Sequence, residues 1–396
     1  SALRHYEQGG DTPAALALVE RHSMPAMLRG DTLSVERWLA RLPAQAMRQS
    51  PRLALNSAWL SLIVERTDLP DKLNVAQQAL ATAPSTLPAE DSWPYELLVL
   101  EACAAYYQSQ AAVALGLAQR ALDVIPSQYA LERGTCHLLH LICIRQHIIA
   151  EDEIKHADET IANYTRAGFP VGVVSTMRTK ALVLYDKGQA AAAVQTFYRL
   201  LEFARNVPGQ LGIEVVYSHL DFGLVLYALN RIAEARQQFE LLLEASRRIN
   251  DQAFSLSATQ WLQLCSHALN PQLPTDQTNL AQEEASLCEI FATRSPALAW
   301  HACRASVMRR LSEHNPAGAW AAIQCTHFNV HQEPAPGKLM MFVIYAHAYL
   351  ARGRALGALV PHLGRWEALL EGKANLIPLK IQFRILAALL YSTQGN

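Results

Sequence analysis

One stretch, Phe222–Leu243, read FGLVLYALNRIAEARQQFELLL, restricts this chain more than any other. Gly223 is followed seven residues on by Asn230 in a tight turn, then after five by Ala235, after four by Phe239 and after three by Leu242. Small residues let two antiparallel helices approach closely, and one aromatic fills the gap that remains. Ala181, Gly188, Ala193, Phe197 and Leu200 repeat the spacing, as do Ala346, Gly353, Ala358, His362 and Arg365. Ala102, Ser109, Ala114, Ala118 and Ala121 repeat it with small residues, closed by Pro126. A hairpin of this kind buries its apolar face only by stacking on its neighbours. The pattern therefore predicts an all-α fold: a solenoid of helical hairpins wound into a right-handed superhelix, without a sheet.

Punctuation along the chain agrees. Asp11-Thr12-Pro13 opens a helix with a cap and a proline in the first turn, and Ser50-Pro51 opens another. Gly168-Phe169-Pro170 is a stop. Pro271–Thr278 is the most loop-like run and the expected place for the superhelix to change pitch, giving a first part over 1–270 and a second over 271–396.

Composition narrows the function. Over 396 residues the formal net charge is −1, which leaves no broad basic face for nucleic acid. Arg304, Arg309 and Arg310 form the tightest basic cluster. No apolar run approaches the roughly 20 residues that cross a bilayer. The opening SALRHYEQGG is not a signal peptide. Seven cysteines lie without close pairs, the pattern of reduced thiols in a cytoplasmic protein. Both ends fall inside helical patterning, as expected of a segment of something longer.

Catalytic signatures are missing: there is no phosphate loop ending in Lys-Ser/Thr, no GxSxG, no HExxH and no paired CxxC. An enzyme is not expected. Cys136, His140, Cys143 and His147 share a helix face, but a straight helix spreads them over about 16 Å, too far for one tetrahedral ion. They read as packing, and so do His327 and His331 beside Cys325. Trp38, Trp59, Trp261, Trp300 and Trp320 sit at helical spacing among apolar neighbours, which suits inter-helix core.

The hairpins resemble degenerate tetratricopeptide repeats. Tyr106, Tyr185 and Tyr227 each lie four residues after their repeat's small residue. In tetratricopeptide repeats that position faces the concave groove, so the resemblance implies a tyrosine ladder there, with Ser175, Arg178, Tyr217 and His347 on the same surface. Arg178 is the best placed of these for a carboxylate or phosphate. The alternative is that the tyrosines pack adjacent first helices and keep their hydroxyls in water.

The N-terminal third carries a second pattern: a helix, a Gly30-Asp31 break, Trp38-Leu39 with Leu42-Pro43, then Ser50-Pro51, Leu53 and Ala58-Trp59. It resembles the start of the helical-repeat sensor region in MalT-type regulators, the large ATP-dependent branch of the LuxR family. That resemblance implies a parent with an ATPase before this region and a DNA-reading helix-turn-helix after it. ATP would be the cofactor of the missing ATPase, with none in this region. A small-molecule inducer or regulatory protein would bind the repeats and the parent would self-associate, while this region binds no DNA and no membrane. The rival reading is a scaffold that holds an extended peptide or partner protein in its groove.

Overall fold

A computed structural model describes residues 11–64, 68–82, 92–145, 152–207, 211–272, 285–289, 296–332, 339–353, 359–371 and 376–392. His147, Ala358 and most of the Pro271–Thr278 run lie outside them. The described residues form helices joined by turns and short irregular stretches, with no strand among them. In order the helices are α1 (Thr12–Leu28), α2 (Thr32–Arg41), α3 (Ala44–Gln49), α4 (Pro51–Ile63), α5 (Leu69–Ala81), α6 (Trp93–Tyr107), α7 (Ala111–Val124), α8 (Ala130–Arg145), α9 (Glu153–Arg166) and α10 (Pro170–Asp186). There follow α11 (Ala190–Asn206), α12 (Gly212–Ala228), α13 (Ile232–Arg248), α14 (Gln252–Leu269), α15 (Pro296–Ser312), α16 (Pro316–Gln324), α17 (Leu339–Ala351), α18 (Val360–Ala368) and α19 (Ile377–Ser392). A short helical segment, 285–289, precedes α15.

Starts and stops follow from local chemistry. The Asp11 carboxylate accepts from Ala14 N–H at 3.1 Å, Ser50 Oγ from Leu53 N–H at 3.1 Å, Asp251 from Ala253 N–H at 2.9 Å and Asn315 from Gly318 N–H at 2.8 Å. Each satisfies a donor that the first helical turn leaves open. The stops share one device. Gly30, Ser109, Gly168, Gly188, Asn230, Asn250 and His314 all take positive φ just after a helix. In each case the next residue's N–H reaches back five residues to a helical carbonyl, as Arg231 does to Leu226 at 2.9 Å and Gln110 does to Ala105 at 2.9 Å. This left-handed cap ties off the end of one helix and aims the chain into the next.

Consecutive helices pack on one another, α8 on α9, α12 on α13, α13 on α14 and α14 on α15. The chain forms two compact units, one of residues 1–180 with 202–211 and the other of residues 181–201 with 212–396. In the first, α4 and α6 are joined through Glu96. Its carboxylate, 3% exposed, accepts from Arg52 at 2.9 and 2.7 Å, from Trp59 Nε1–H at 2.7 Å and from Ser92 Oγ–H at 2.9 Å. In the second, the repeat positions sit where the spacing put them. Ala181, Ala193, Phe197, Leu200, Ala235, Phe239, Leu242 and Ala346 are all fully buried. Phe197 stacks on Phe222 and Phe239 on Trp261, with ring centroids 4.9 and 5.3 Å apart.

Two expectations need correcting. In the hairpin after Gly353 the second helix is one residue out of register: Leu359, Leu363, Trp366 and Leu370 are buried, while Arg365 is exposed and His362 half-buried. Burying a leucine and a tryptophan is worth more than burying a histidine and an arginine, so the apolar set wins the face. The cysteines are not all reduced thiols either. Cys288, on the segment 285–289, is disulfide-bonded to Cys325 at the end of α16, with Cα atoms 4.7 Å apart. The other five are free and buried.

Candidate functional site

The three neighbouring arginines do not form a basic surface. Arg309 is 4% exposed and pairs with Glu313 at 3.2 Å. Arg310 is fully buried and donates to the Gly318 carbonyl at 2.7 Å. Arg304 differs from both. It lies deep within the second unit yet keeps part of its surface open. Among the described residues its guanidinium makes no ion pair and no hydrogen bond; it rests over the Trp261 ring, 5.6 Å from the centroid.

The surroundings of Arg304 come from three other helices. Trp261 on α14 is fully buried and immobilised by Phe239, by the edge of Tyr227 at 5.2 Å and by its Nε1–H donating to the His301 carbonyl at 3.1 Å. Tyr227 on α12 and Tyr185 on α10 are both half-buried, and the Arg304 charge acts on both phenols. Burial pushes both phenols up, and Arg304 opposes the rise. Burial also pulls the Arg304 guanidinium below its ordinary value, and it remains a cation at neutral pH. His301, one turn before Arg304, is held down by burial against the opposing pull of Asp221. One cation therefore sits among two phenols and an indole, with its hydrogen-bond donors unused by the protein. Such a group can bind an anion or a carbonyl-rich chain.

The sequence-derived residues separate accordingly. Tyr185 and Tyr227 meet at Arg304, and Tyr227 also packs on the core through Trp261. Tyr217 lies edge-on against Phe254 at 4.9 Å. His347 turns its Nδ1 to the Val343 carbonyl of its own helix at 2.8 Å. Ser175, Arg178 and Tyr106 are half-buried in the first unit, where Tyr106 adjoins Tyr107 at 6.0 Å. Sequence reasoning singled out Arg304 only as a member of a basic cluster. Nothing local marks it, because its ring of aromatics comes from residues 43 to 119 positions away.

The cysteine-histidine stripe of α8 is packed rather than open. Cys136, His140 and Cys143 are buried, and the His140 ring stacks on His156 of α9 at 4.7 Å. His137 Nδ1 lies 3.2 Å from His156 Nδ1. Burial, followed by His156, Arg133, His140 and Lys155, pulls His137 down to about 4. Since the folded value lies below the unfolded one, the stability this neutral histidine contributes is complete above the unfolded pKa. It is lost as pH falls from about 6.5 toward 4, by up to about 3 kcal/mol. Glu132, raised by burial to about 7, works in the opposite sense over the same range. The difference between wild type and His137→Gln isolates the histidine. Urea titrations at pH 7 and pH 4.5 are expected to show the variant losing less stability on acidification.

No model of a known protein family matches this chain, and no curated protein matches it. Solved structures do. The apo form of RapI is similar at a TM-score of 0.58 with 10% identity, over 93% of this chain and 97% of that one. A Rap protein complexed with competence and sporulation factor gives a TM-score of 0.48 with 11% identity, over 96% of this chain and 99% of that one. The chain shares the helical-repeat fold of RapI.

Proposed function

We propose that this chain is a non-catalytic binding module whose second unit holds an effector or partner at Arg304, Tyr185 and Tyr227. The observation that carries this reading is a part-open arginine with unused donors, ringed by aromatics, in a chain without any catalytic motif. A planar fork of free donors held against an aromatic face suits a group kept for a ligand.

In its finer form the module is the sensor region of a MalT-type transcriptional regulator in the cytoplasm. Inducer binding would bias self-association of the parent, and ATP and DNA would be handled by other domains. The support for this is the resemblance of the N-terminal run, from the Gly30-Asp31 break to Ala58-Trp59. The second reading is a scaffold for an extended peptide, which the helical-repeat fold accommodates equally.

The test is a calorimetric screen of small metabolites and of short peptides on wild type, Tyr185→Ala and Tyr227→Ala. Both readings expect a ligand whose affinity falls by about 10-fold or more in the variants. A metabolite as that ligand supports the sensor and a peptide supports the scaffold. A ligand indifferent to both substitutions removes the site from Arg304. Specific promoter binding by the chain itself at physiological salt would contradict the sensor reading.

A further inference from the structure

We propose that the outward face of α19 is a docking surface for one amphipathic helix of a partner protein, a helix built like the second helix of this chain's own hairpins. The surface shares no residue with Arg304, Tyr185 or Tyr227.

α19 is apolar on two sides. Phe383, Leu386 and Leu390 are buried in one cluster with residues of α17 and α18. On another side Ile381, Ile385 and Leu389 form a row at four-residue steps, 54%, 52% and 45% exposed. A surface helix ordinarily keeps its apolar residues in one stripe and turns a polar face to water. Ile377 heads the same row but already adjoins Gly188, where a Cβ would lie 3.2 Å from its Cδ1. The open part therefore runs from Ile381 to Leu389. Complete hairpins elsewhere in the chain cover the same row. In α12, Val216 and Leu220 lie seven and three residues before the small residue Gly223, and each is 1% exposed. In α17, Leu339 and Val343 stand in the same relation to Ala346 and are buried in one cluster with Leu359, Leu363 and Trp366. In α19, Ile381 and Ile385 stand seven and three residues before Ala388. Gly395 follows Ala388 by seven in the sequence, as Asn230 follows Gly223 and Gly353 follows Ala346. α19 thus carries the face of a first helix. Gly223 is closed over by Phe239 of its second helix, whereas Ala388 is exposed.

That register fixes the chemistry of the occupant. It needs a small residue where the backbones approach at Ala388, a large apolar residue four positions on and a leucine three beyond, as Ala235, Phe239 and Leu242 supply in α13. Its flanks should be acidic, because α19 carries Lys380 and an exposed Arg384 and has no acid of its own. The same charges disfavour a second copy as the occupant, since pairing α19 with itself would bring only cations together.

The test uses the full chain and, as probe, a synthetic peptide of residues 231–248, a second helix of the required pattern. A control peptide carries Ala235→Glu and Phe239→Glu. Fluorescence anisotropy is expected to show the first peptide binding about 10-fold or more tightly than the control. Its affinity should fall about 10-fold or more when the chain carries Ile381→Lys with Ile385→Lys, and likewise with Ala388→Leu, while Arg304→Gln leaves it unchanged. All three α19 positions are exposed, so the helical melt of these variants should match wild type; if the lysine pair lowers it, Ala388→Leu decides. The proposal is overturned if the peptide does not bind, if the control binds as well, or if Ala388→Leu binds the peptide as wild type does. It is also overturned if sedimentation equilibrium of the chain alone shows a dimer that Ile385→Lys dissolves, which would make the occupant a second copy.

Discussion

Replacing Glu96 with alanine is expected to cost the first unit about 3–5 kcal/mol, more than any other single truncation of a polar side chain there. Its carboxylate is the common acceptor for both Arg52 amino groups, the Trp59 indole N–H and the Ser92 hydroxyl. Alanine takes the carboxylate from a half-buried guanidinium and leaves a fully buried indole N–H without its acceptor, while nothing replaces the lost volume. Ser92→Ala removes only one neutral donor and should cost about 1 kcal/mol. Denaturant titration of both variants, followed by tryptophan fluorescence, gives the comparison. Equal costs would mean that the network is not organised around the carboxylate. Acidification probes the same group. Burial raises the Glu96 pKa, but hydrogen bonding and charge from Arg52, then Ser92 and Trp59, together bring it below the ordinary carboxylate value. The stability it contributes is therefore present above the unfolded carboxylate pKa and lost as pH falls through the lower folded one.

The second large effect is expected at Gly223. A Cβ built there would lie 2.5 Å from Phe239 Cε1 and 2.8 Å from Cζ. The ring cannot yield, because it is fully buried and stacked on Trp261. Gly223→Ala is expected to destabilise the second unit by about 1–3 kcal/mol, and Gly223→Leu by more. Gly116, inside α7, supplies the contrast: nothing lies within 4 Å of a Cβ there. Gly116→Ala should stabilise by about 0.5–1 kcal/mol through helix propensity alone. Thermal melts of the two alanine variants shifting in the same direction would refute the close approach of α12 and α13. Because Phe239 touches Trp261 and Trp261 carries Arg304, the Gly223 variants should also weaken any ligand held at Arg304.

The hairpins were legible because side-chain volume is a local property. Gly223, Asn230, Ala235, Phe239 and Leu242 each state a size or a backbone requirement, and the fold satisfies all of them. Legibility failed where two candidates competed for one face, as when Leu363 and Trp366 displaced His362 and Arg365. It failed again wherever partners come from distant sequence. Cys288 meets Cys325 across 37 residues, and Arg304 meets Tyr185, Tyr227 and Trp261 across more. The contact of Tyr217 with Phe254 likewise joins residues 37 positions apart.

The left-handed caps have a consequence for how such a chain changes over time. What each turn demands is a dihedral angle, and glycine, serine, asparagine and histidine all meet it in this one molecule. The small positions are stricter: 181 and 346 hold alanine, while 223 has no room for a Cβ. Substitution can thus exchange the letters at the turns while the angles persist. Descendants of a common repeat would drift apart in spelling long before they drift apart in shape.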